Sequence, residues 1–213
     1  MKLIKGLSIL AVLGVFALPA SAQEMTFFVT SDGPGNGGDL GGLAGADALC
    51  QSLAESAGRG DATWRAYLSQ AASGSMQAVN ARDRIGNGPW HNANGDLIAA
   101  NLADLHEDRN NVRGYTALNE NGEEVAGRGD PRGNRHDILT GSDSAGRVMG
   151  DAATTTCNNW TSSSDDHTTR VGHHDRDGGP NASWNSTHGS RGCSQEALVG
   201  TGGDGLLYCF AAD

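Results

Sequence analysis

Lysine is nearly absent from this chain of 213 residues: its two lysines, Lys2 and Lys5, both lie at the very start. Acidic residues outnumber basic ones, with 25 Asp and Glu against 15 Lys and Arg, so the formal net charge is −10. Proteins that bind nucleic acids or anionic membranes do so through clustered positive charge. The composition therefore argues against nucleic acid as a partner and against binding to a membrane surface.

Long apolar runs are missing after residue 22. Before that point, both lysines precede an apolar stretch at 7–18, and small residues occupy 20–22. A positive start, an apolar stretch too short to span a bilayer and small residues before a cleavage point are typical of a secretory signal peptide. We predict that 1–22 is this signal. Residues 23–213 are then one exported domain, secreted or periplasmic, without a membrane span.

Cysteine is scarce, and its four positions include no close pair. The cysteines are Cys50, Cys157, Cys193 and Cys209. A cysteine-based metal site normally brings close pairs, whereas an even number of cysteines in an exported protein predicts disulfide bonds. We therefore expect two disulfides. Four cysteines allow three pairings, and their spacing does not choose among them.

Aromatic residues make up only 5% of the chain, so the secondary structure is predicted mainly from aliphatic periodicity and turn residues. Apolar residues at three- and four-residue steps predict a helix over 43–57 that has Cys50 on its buried face. Gly58 suits the C-terminal cap of this helix. Residues 25–30 and 206–210 are rich in β-forming side chains and predict the first and last strands.

Four further segments have the character of strands or hairpins. Residues 63–69 alternate as a strand does, and 137–141 is a short apolar piece. Asn-Gly pairs in 92–99 and 119–126 each stand between β-compatible flanks. Both central positions of a type I′ turn need positive φ, which Asn and Gly tolerate, so we predict two short hairpins.

A long polar segment, 151–192, has few large aliphatic residues and is rich in Thr, Ser, Asn, Asp, Gly and His. Such a composition is found in disordered chains. Trp160 and Trp184 lie inside it, however, and Cys157 and Cys193 flank most of it. We therefore predict a long surface loop that is pinned covalently, the kind of segment in which binding residues concentrate.

The order of these features resembles the C-type-lectin-like fold and, within it, bacterial secreted proteins related to the endostatin domain of collagens XV and XVIII. The resemblance implies an α+β fold with a mixed, mainly antiparallel sheet, one main helix and a long loop closed by a disulfide. It also implies the pairing Cys50–Cys209 and Cys157–Cys193. The residues that carry it are Gly42-Leu43-Ala44-Gly45-Ala46-Asp47 with Cys50, Trp64-Arg65-Ala66-Tyr67-Leu68-Ser69, Leu139-Thr140-Gly141, Cys157-Asn158-Asn159-Trp160-Thr161, Trp184-Asn185, Cys193 and Leu207-Tyr208-Cys209.

The resemblance implies a recognition surface in the long loop but a poor calcium site. Sugar-binding C-type lectins hold calcium partly through Trp-Asn-Asp, whereas here Ser186 follows Trp184-Asn185. Calcium prefers six to eight oxygen ligands, several of them charged. Trp184 is expected to pack the loop and Asn185 to satisfy its backbone. The same stretch supplies the candidate ligand-binding residues, which are Asn158, Asn159, Trp160, Trp184 and Asn185.

Histidine and aspartate in the loop offer a second kind of site. Zinc is bound by His, Asp and Glu, and catalytic zinc sites commonly use three protein ligands plus water. The candidate metal ligands are His167, His173, His174 and Asp175. No helical HExxH pattern is present, and a solvated acidic loop is the alternative interpretation. We expect no cofactor, with calcium or zinc as the metals that remain open.

The function expected from these features is that of a secreted, non-catalytic binding module for a glycan, a matrix polymer or an extracellular protein. No G-x-S-x-G nucleophile elbow occurs, and the cysteines are better used in disulfides. The alternative is a metal-dependent hydrolase that uses the His/Asp loop at 165–175. Metal content would discriminate between the two.

Overall fold

The computed structural model describes residues 24–107, 109–178 and 182–213. The predicted signal peptide, 1–22, lies outside the described residues. Within the described part, no helix is long and apolar enough to cross a membrane. The main sheet consists of β1 (Phe27–Val29), β2 (Trp64–Ala66), β5 (Asp137–Leu139), β6 (Arg170–His173), β7 (His188–Gly189) and β8 (Gly203–Ala211).

Two further strands and several helical segments surround this sheet. Strands β3 (Trp90–His91) and β4 (Leu97–Ala99) form a separate antiparallel pair. The main helix, α1, spans Gly42–Ser56, close to the range that its periodicity predicts. The shorter helical segments are Ala81–Asp83, Leu102–His106, Ala152–Thr155, Cys157–Trp160 and Gln195–Thr201.

Strand β8 organises the main sheet. Its strand order is β1-β8-β5-β6-β7, with β2 also paired to β8. All of these pairings are antiparallel except that between β5 and β8, which is parallel. The structure is therefore an α+β domain with a mixed, mainly antiparallel sheet and one main helix, as the sequence predicts.

Alternation along β8 divides the core into two layers. Leu207 and Cys209 point into the cluster that includes α1, whereas Leu206, Tyr208 and Phe210 point into the opposite cluster. Successive side chains of a strand face opposite sides of a sheet, and β8 is buried on both. Its continuous apolar run follows from that double burial.

Two disulfides connect distant parts of the chain. Cys50 on α1 is bonded to Cys209 on β8, and Cys157 is bonded to Cys193. These are the two bonds that the resemblance implies. The first holds the main helix against the central strand, and the second closes a loop of 36 residues in sequence separation. By loop-closure entropy each contributes about 3–5 kcal/mol.

The two predicted hairpins differ. Asn92 and Asn119 make the same local turn: each side-chain oxygen accepts hydrogen bonds from the backbone N–H groups two and four residues on. The first turn joins β3 to β4, so the predicted hairpin forms, but neither turn is type I′, because Gly95 and Gly122 have positive φ and the asparagines before them do not. The second is flanked only by an isolated bridge between Leu118 and Glu124, so it forms a turn without a strand ladder.

The polar segment 151–192 is more ordered than a surface loop. It contributes β6 and β7 to the main sheet, and its side chains Trp160, Val171 and Trp184 are buried. A composition poor in aliphatic residues gave no sign of these strands. β6 is held by pairing with β5, a contact that is remote in sequence, and β7 pairs with β6.

Candidate metal centre

The predicted ligand-binding residues Asn159 and Trp160 lie in the core. Asn159 is buried, and its side-chain amide pairs with the backbone of Ala71 through hydrogen bonds of 2.9 and 3.0 Å. The Trp160 indole N–H donates to the backbone oxygen of Ser69. Their neighbour Asn158 is exposed. Of these three residues, a ligand at the surface would reach Asn158.

Trp184 and Asn185 are also buried. The indole N–H of Trp184 donates to the backbone oxygen of Leu105, and the Asn185 amide donates to the hydroxyl of Tyr67 at 2.9 Å. Trp184 therefore has the packing role that its sequence context predicts. The Asn185 amide also donates to the backbone oxygens of residues 143–144, which lie outside the predicted loop.

The predicted metal ligands are not gathered at one place. His167 bonds through Nδ1 to the hydroxyl of Ser162 at 2.6 Å. His174 is fully buried, and this burial lowers its pKa to about 4, so its ring is neutral. Asp175 contacts the ring of His136 through its carboxylate. Among the four predicted ligands, His173 is the one whose ring joins a group that could hold a metal ion.

That group combines His173 with two residues that the sequence analysis did not select. His136, Asp137 and His173 are buried, and one potential ligand atom from each lies within 4.8 Å of the others. His136 immediately precedes β5, Asp137 is the first residue of β5, and His173 is the last residue of β6. This buried His/Asp/His group could hold a metal ion.

A third imidazole, from His188 on β7, lies beside the group. The Asp137 Oδ1 atom is 3.3 Å from His136 Nε2, 3.0 Å from His173 Nε2 and 3.5 Å from His188 Nε2. The Nε2 atoms of His173 and His188 are 2.9 Å apart. Three imidazole nitrogens thus surround one carboxylate oxygen.

Sheet register brings these side chains together. Asp137 is directly opposite His173 in the antiparallel pair β5/β6, and His188 is opposite Val171 in the pair β6/β7. Val171 and His173 are two residues apart and face the same side of the sheet. His188 is therefore a diagonal neighbour of His173, within reach of its ring.

The other ring nitrogens are held by acceptors. Nδ1 of His173 is 2.7 Å from the backbone oxygen of Asp177, and Nδ1 of His136 is 3.2 Å from Asp175 Oδ1. Nδ1 of His188 is 3.1 Å from the backbone oxygen of Gly189. A proton on each Nδ1 satisfies these contacts and leaves the Nε2 lone pairs directed at the centre. Such outer contacts set the tautomer of metal-binding histidines.

The Asp137 carboxylate is the least satisfied group of the site. Its side chain is 2% exposed. Within the part of the chain that the structure describes, neither of its oxygens accepts a hydrogen bond. A buried carboxylate is costly unless a positive charge or donors compensate it. Burial lowers the pKa of His173, but the facing Asp137 outweighs this and raises that pKa above its usual value.

Asp175 supports the centre from outside. Burial raises the pKa of Asp175, but the hydrogen bonds from His136 and from the backbone N–H groups of Arg128 and Asp177 outweigh it and hold the pKa well below its usual range. Its carboxylate therefore stays ionised and orients the His136 ring. Gly202 has φ 129°, and a Cβ there would lie 3.3 Å from His136 Nε2. A side chain at that position would crowd the centre.

One local feature of the sequence points to this site. His136 and Asp137 are a polar pair directly before the apolar residues of β5, a position at which a strand enters the core. The other histidines of the site are not visible in the sequence near this pair, because His188 is 15 residues from His173 and lies on another strand. No protein-family model matches the sequence, and no curated protein matches it.

Proposed function

We propose that this chain is an exported module that binds one transition-metal ion, most suitably zinc, through His136, Asp137, His173 and His188. A single observation carries the proposal: three imidazole Nε2 atoms lie 3.0–3.5 Å from one oxygen of a buried carboxylate. Zinc binds nitrogen and oxygen ligands at about 2.0–2.1 Å, which places neighbouring ligand atoms of a tetrahedral site about 3.3 Å apart. The separations around Asp137 agree with that value.

The donor set favours zinc over the calcium that the resemblance left open. Calcium takes six to eight oxygen ligands, and magnesium keeps most of its water. Imidazole nitrogen suits zinc, copper, nickel and iron. The ion would balance the charge of the buried Asp137 carboxylate, which otherwise faces imidazole nitrogens at 3.0–3.5 Å.

The wider proposal is a non-catalytic binding module of C-type-lectin-like or endostatin-like fold. Its support is the mainly antiparallel sheet, the single main helix and the disulfides Cys50–Cys209 and Cys157–Cys193. Disulfides also suit an oxidising compartment, in agreement with the predicted export. A glycan or an extracellular protein remains the partner class that this fold suggests.

A metal-dependent hydrolase is the second candidate function. The observation that favours it is the difference in exposure among the ligands: His188 is 39% exposed, whereas Asp137 is 2% exposed. Three buried ligands beside a more open position are the arrangement of catalytic zinc sites. Hydrolysis of ester, phosphate-ester and peptide substrates by zinc-loaded protein, abolished by EDTA, would establish this function, and its absence would leave the binding module.

Metal analysis of protein purified without chelator tests the main proposal. We expect one zinc per chain, retained after dialysis and removed by EDTA. His173→Ala should lose this zinc, whereas His167→Ala should keep it, because His167 is bonded to Ser162 outside the centre. Wild-type protein that holds no stoichiometric metal, even after titration with zinc, would refute the proposal.

A further inference from the structure

The four proposed ligands differ in how deeply they are buried. The side chains of His136, Asp137 and His173 are 6%, 2% and 3% exposed, whereas that of His188 is 39% exposed. Solvent therefore reaches the centre on the side of His188.

The ligands also differ in how firmly their rings are anchored. His136 is held by the Asp175 carboxylate, which itself accepts hydrogen bonds from two backbone N–H groups. His173 is held at 2.7 Å by the backbone oxygen of Asp177. His188 has the carbonyl of its own neighbour Gly189, at 3.1 Å. That contact does not tie the ring to another element of the fold.

The strands that carry the ligands also differ in how firmly they are held in the sheet. β5 lies between β8 and β6, and β6 lies between β5 and β7. β7 has two residues and stands at the edge of the described sheet, paired with β6. Short edge strands open more easily than internal ones, since fewer hydrogen bonds and contacts must break. His188 is thus the ligand whose displacement from the centre requires the least free energy.

We propose that His188 is the exchangeable ligand of the metal centre and that a carboxylate-bearing ligand replaces it on the solvent side. This inference rests on the proposed metal binding. His188 would leave as a neutral imidazole as its metal–Nε2 bond breaks, and a carboxylate oxygen would form the new bond. No electron is transferred and no proton is required.

The charge of the centre selects an anionic replacement. A divalent ion with one carboxylate and three neutral imidazoles carries a net charge of about +1. A carboxylate in place of His188 neutralises that charge, whereas another neutral imidazole in that place leaves it unchanged. Carboxylate oxygen is also a ligand that zinc accepts at about 2.0–2.2 Å. The same chemistry occurs in a free acid, an acidic sugar and an acidic peptide.

Cobalt-substituted protein tests this exchange, because the visible spectrum of cobalt reports its coordination. Acetate is the probe, and perchlorate, a monoanion that coordinates metals poorly, is its control at equal ionic strength. We expect His188→Ala to bind cobalt about tenfold more weakly than wild type, and His173→Ala at least about a hundredfold more weakly. Acetate should change the spectrum of wild type with saturation, and it should bind His188→Ala at least tenfold more tightly because the position is already vacant.

The outcomes separate the two proposals. If wild-type protein takes up no cobalt, metal binding and ligand exchange both fail. If wild type and His167→Ala bind cobalt but His188→Ala loses it as completely as His173→Ala, or if acetate leaves both spectra unchanged, then the exchange alone is refuted. Thermal melting of each variant checks folding, and His188→Gln provides a second substitution with the same expectation.

Discussion

Two clusters of polar side chains in this molecule each contain histidine and differ in how their polar atoms are satisfied. In the first, His106 Nε2 is 2.7 Å from the Tyr67 hydroxyl, which accepts from the Asn185 amide. His106 Nδ1 is 2.8 Å from the backbone oxygen of Leu102. In the second, the Nε2 atoms of three histidines face Asp137, whose oxygens accept no hydrogen bond within the described part of the chain.

The difference separates a structural network from a binding site. The Tyr67 network pairs donors with acceptors, so it needs nothing from outside and stabilises the packing around it. Around Asp137, the Nε2 lone pairs of three histidines and the carboxylate charge face one another, and a cation would satisfy them. Histidine content alone does not distinguish the two. The direction of the Nε2 lone pairs distinguishes the two clusters.

Removal of the metal should have the largest effect. A ligand present at about a thousand times its Kd stabilises the folded state by about 4 kcal/mol, which corresponds to about 8–16 °C in Tm for a domain of this size. We expect EDTA to lower the Tm of zinc-loaded wild type by this amount. Asp137→Asn should show no shift with zinc or EDTA, because the central carboxylate is lost. A zinc-dependent shift that persists in this variant would contradict the assignment.

Substitution of the supporting carboxylate should have a smaller effect. Asp175→Asn removes the charge that orients His136 and leaves the ligands in place. Outer contacts of this kind are worth about 10–100-fold in metal affinity. Competition with a chromophoric zinc chelator would measure the loss. An unchanged affinity would show that the Asp175 charge does not hold the ring of His136.

Tyr67→Phe should destabilise the protein and spare the metal centre. The substitution leaves His106 Nε2 without its donor and costs the Asn185 amide one acceptor. An unpaired buried polar group costs about 1–2 kcal/mol. Urea denaturation would measure this loss, while zinc stoichiometry stays at one per chain. Loss of zinc in this variant would indicate that the two clusters depend on each other.

Acidic pH should weaken the Tyr67 network. Burial lowers the pKa of His106 below its usual value. The unfolded state therefore takes up a proton first, and the stability from neutral His106 is present above about pH 6.5 and lost as the pH falls below it. The stability advantage of wild type over His106→Gln should therefore shrink between pH 7.5 and pH 5 in urea titrations. An advantage that stays constant would contradict a titrating His106.

Local periodicity predicted the framework of the fold well. The helix over 43–57 is observed as Gly42–Ser56, with Cys50 buried as its position on the apolar face requires. The terminal strand predicted at 206–210 is observed within Gly203–Ala211. The helix shows its buried face in the spacing of its apolar residues, and the strand, buried on both faces, shows as a continuous apolar run, so neighbouring residues alone were sufficient.

The binding residues were predicted less well. Trp160 and Trp184 were both candidate ligand-binding residues, with Trp184 also expected to pack the loop, and the structure places both in the core. His173 was selected with its neighbours His174 and Asp175, although its partners in space are Asp137 and His188. These three residues were chosen because they are adjacent in sequence, but adjacent residues of a strand point to opposite faces of a sheet.

Residue type and short-range spacing were enough to predict the span of the main helix and the presence of two disulfides, whereas the class of the domain followed from the family resemblance. Which histidines lie next to Asp137 depends on the tertiary structure. The pairing of β5 with β6 and of β6 with β7 sets Asp137 opposite His173 and brings His188 beside it. Register between strands that are remote in sequence is set by the packing of the whole sheet, and no local pattern contains it.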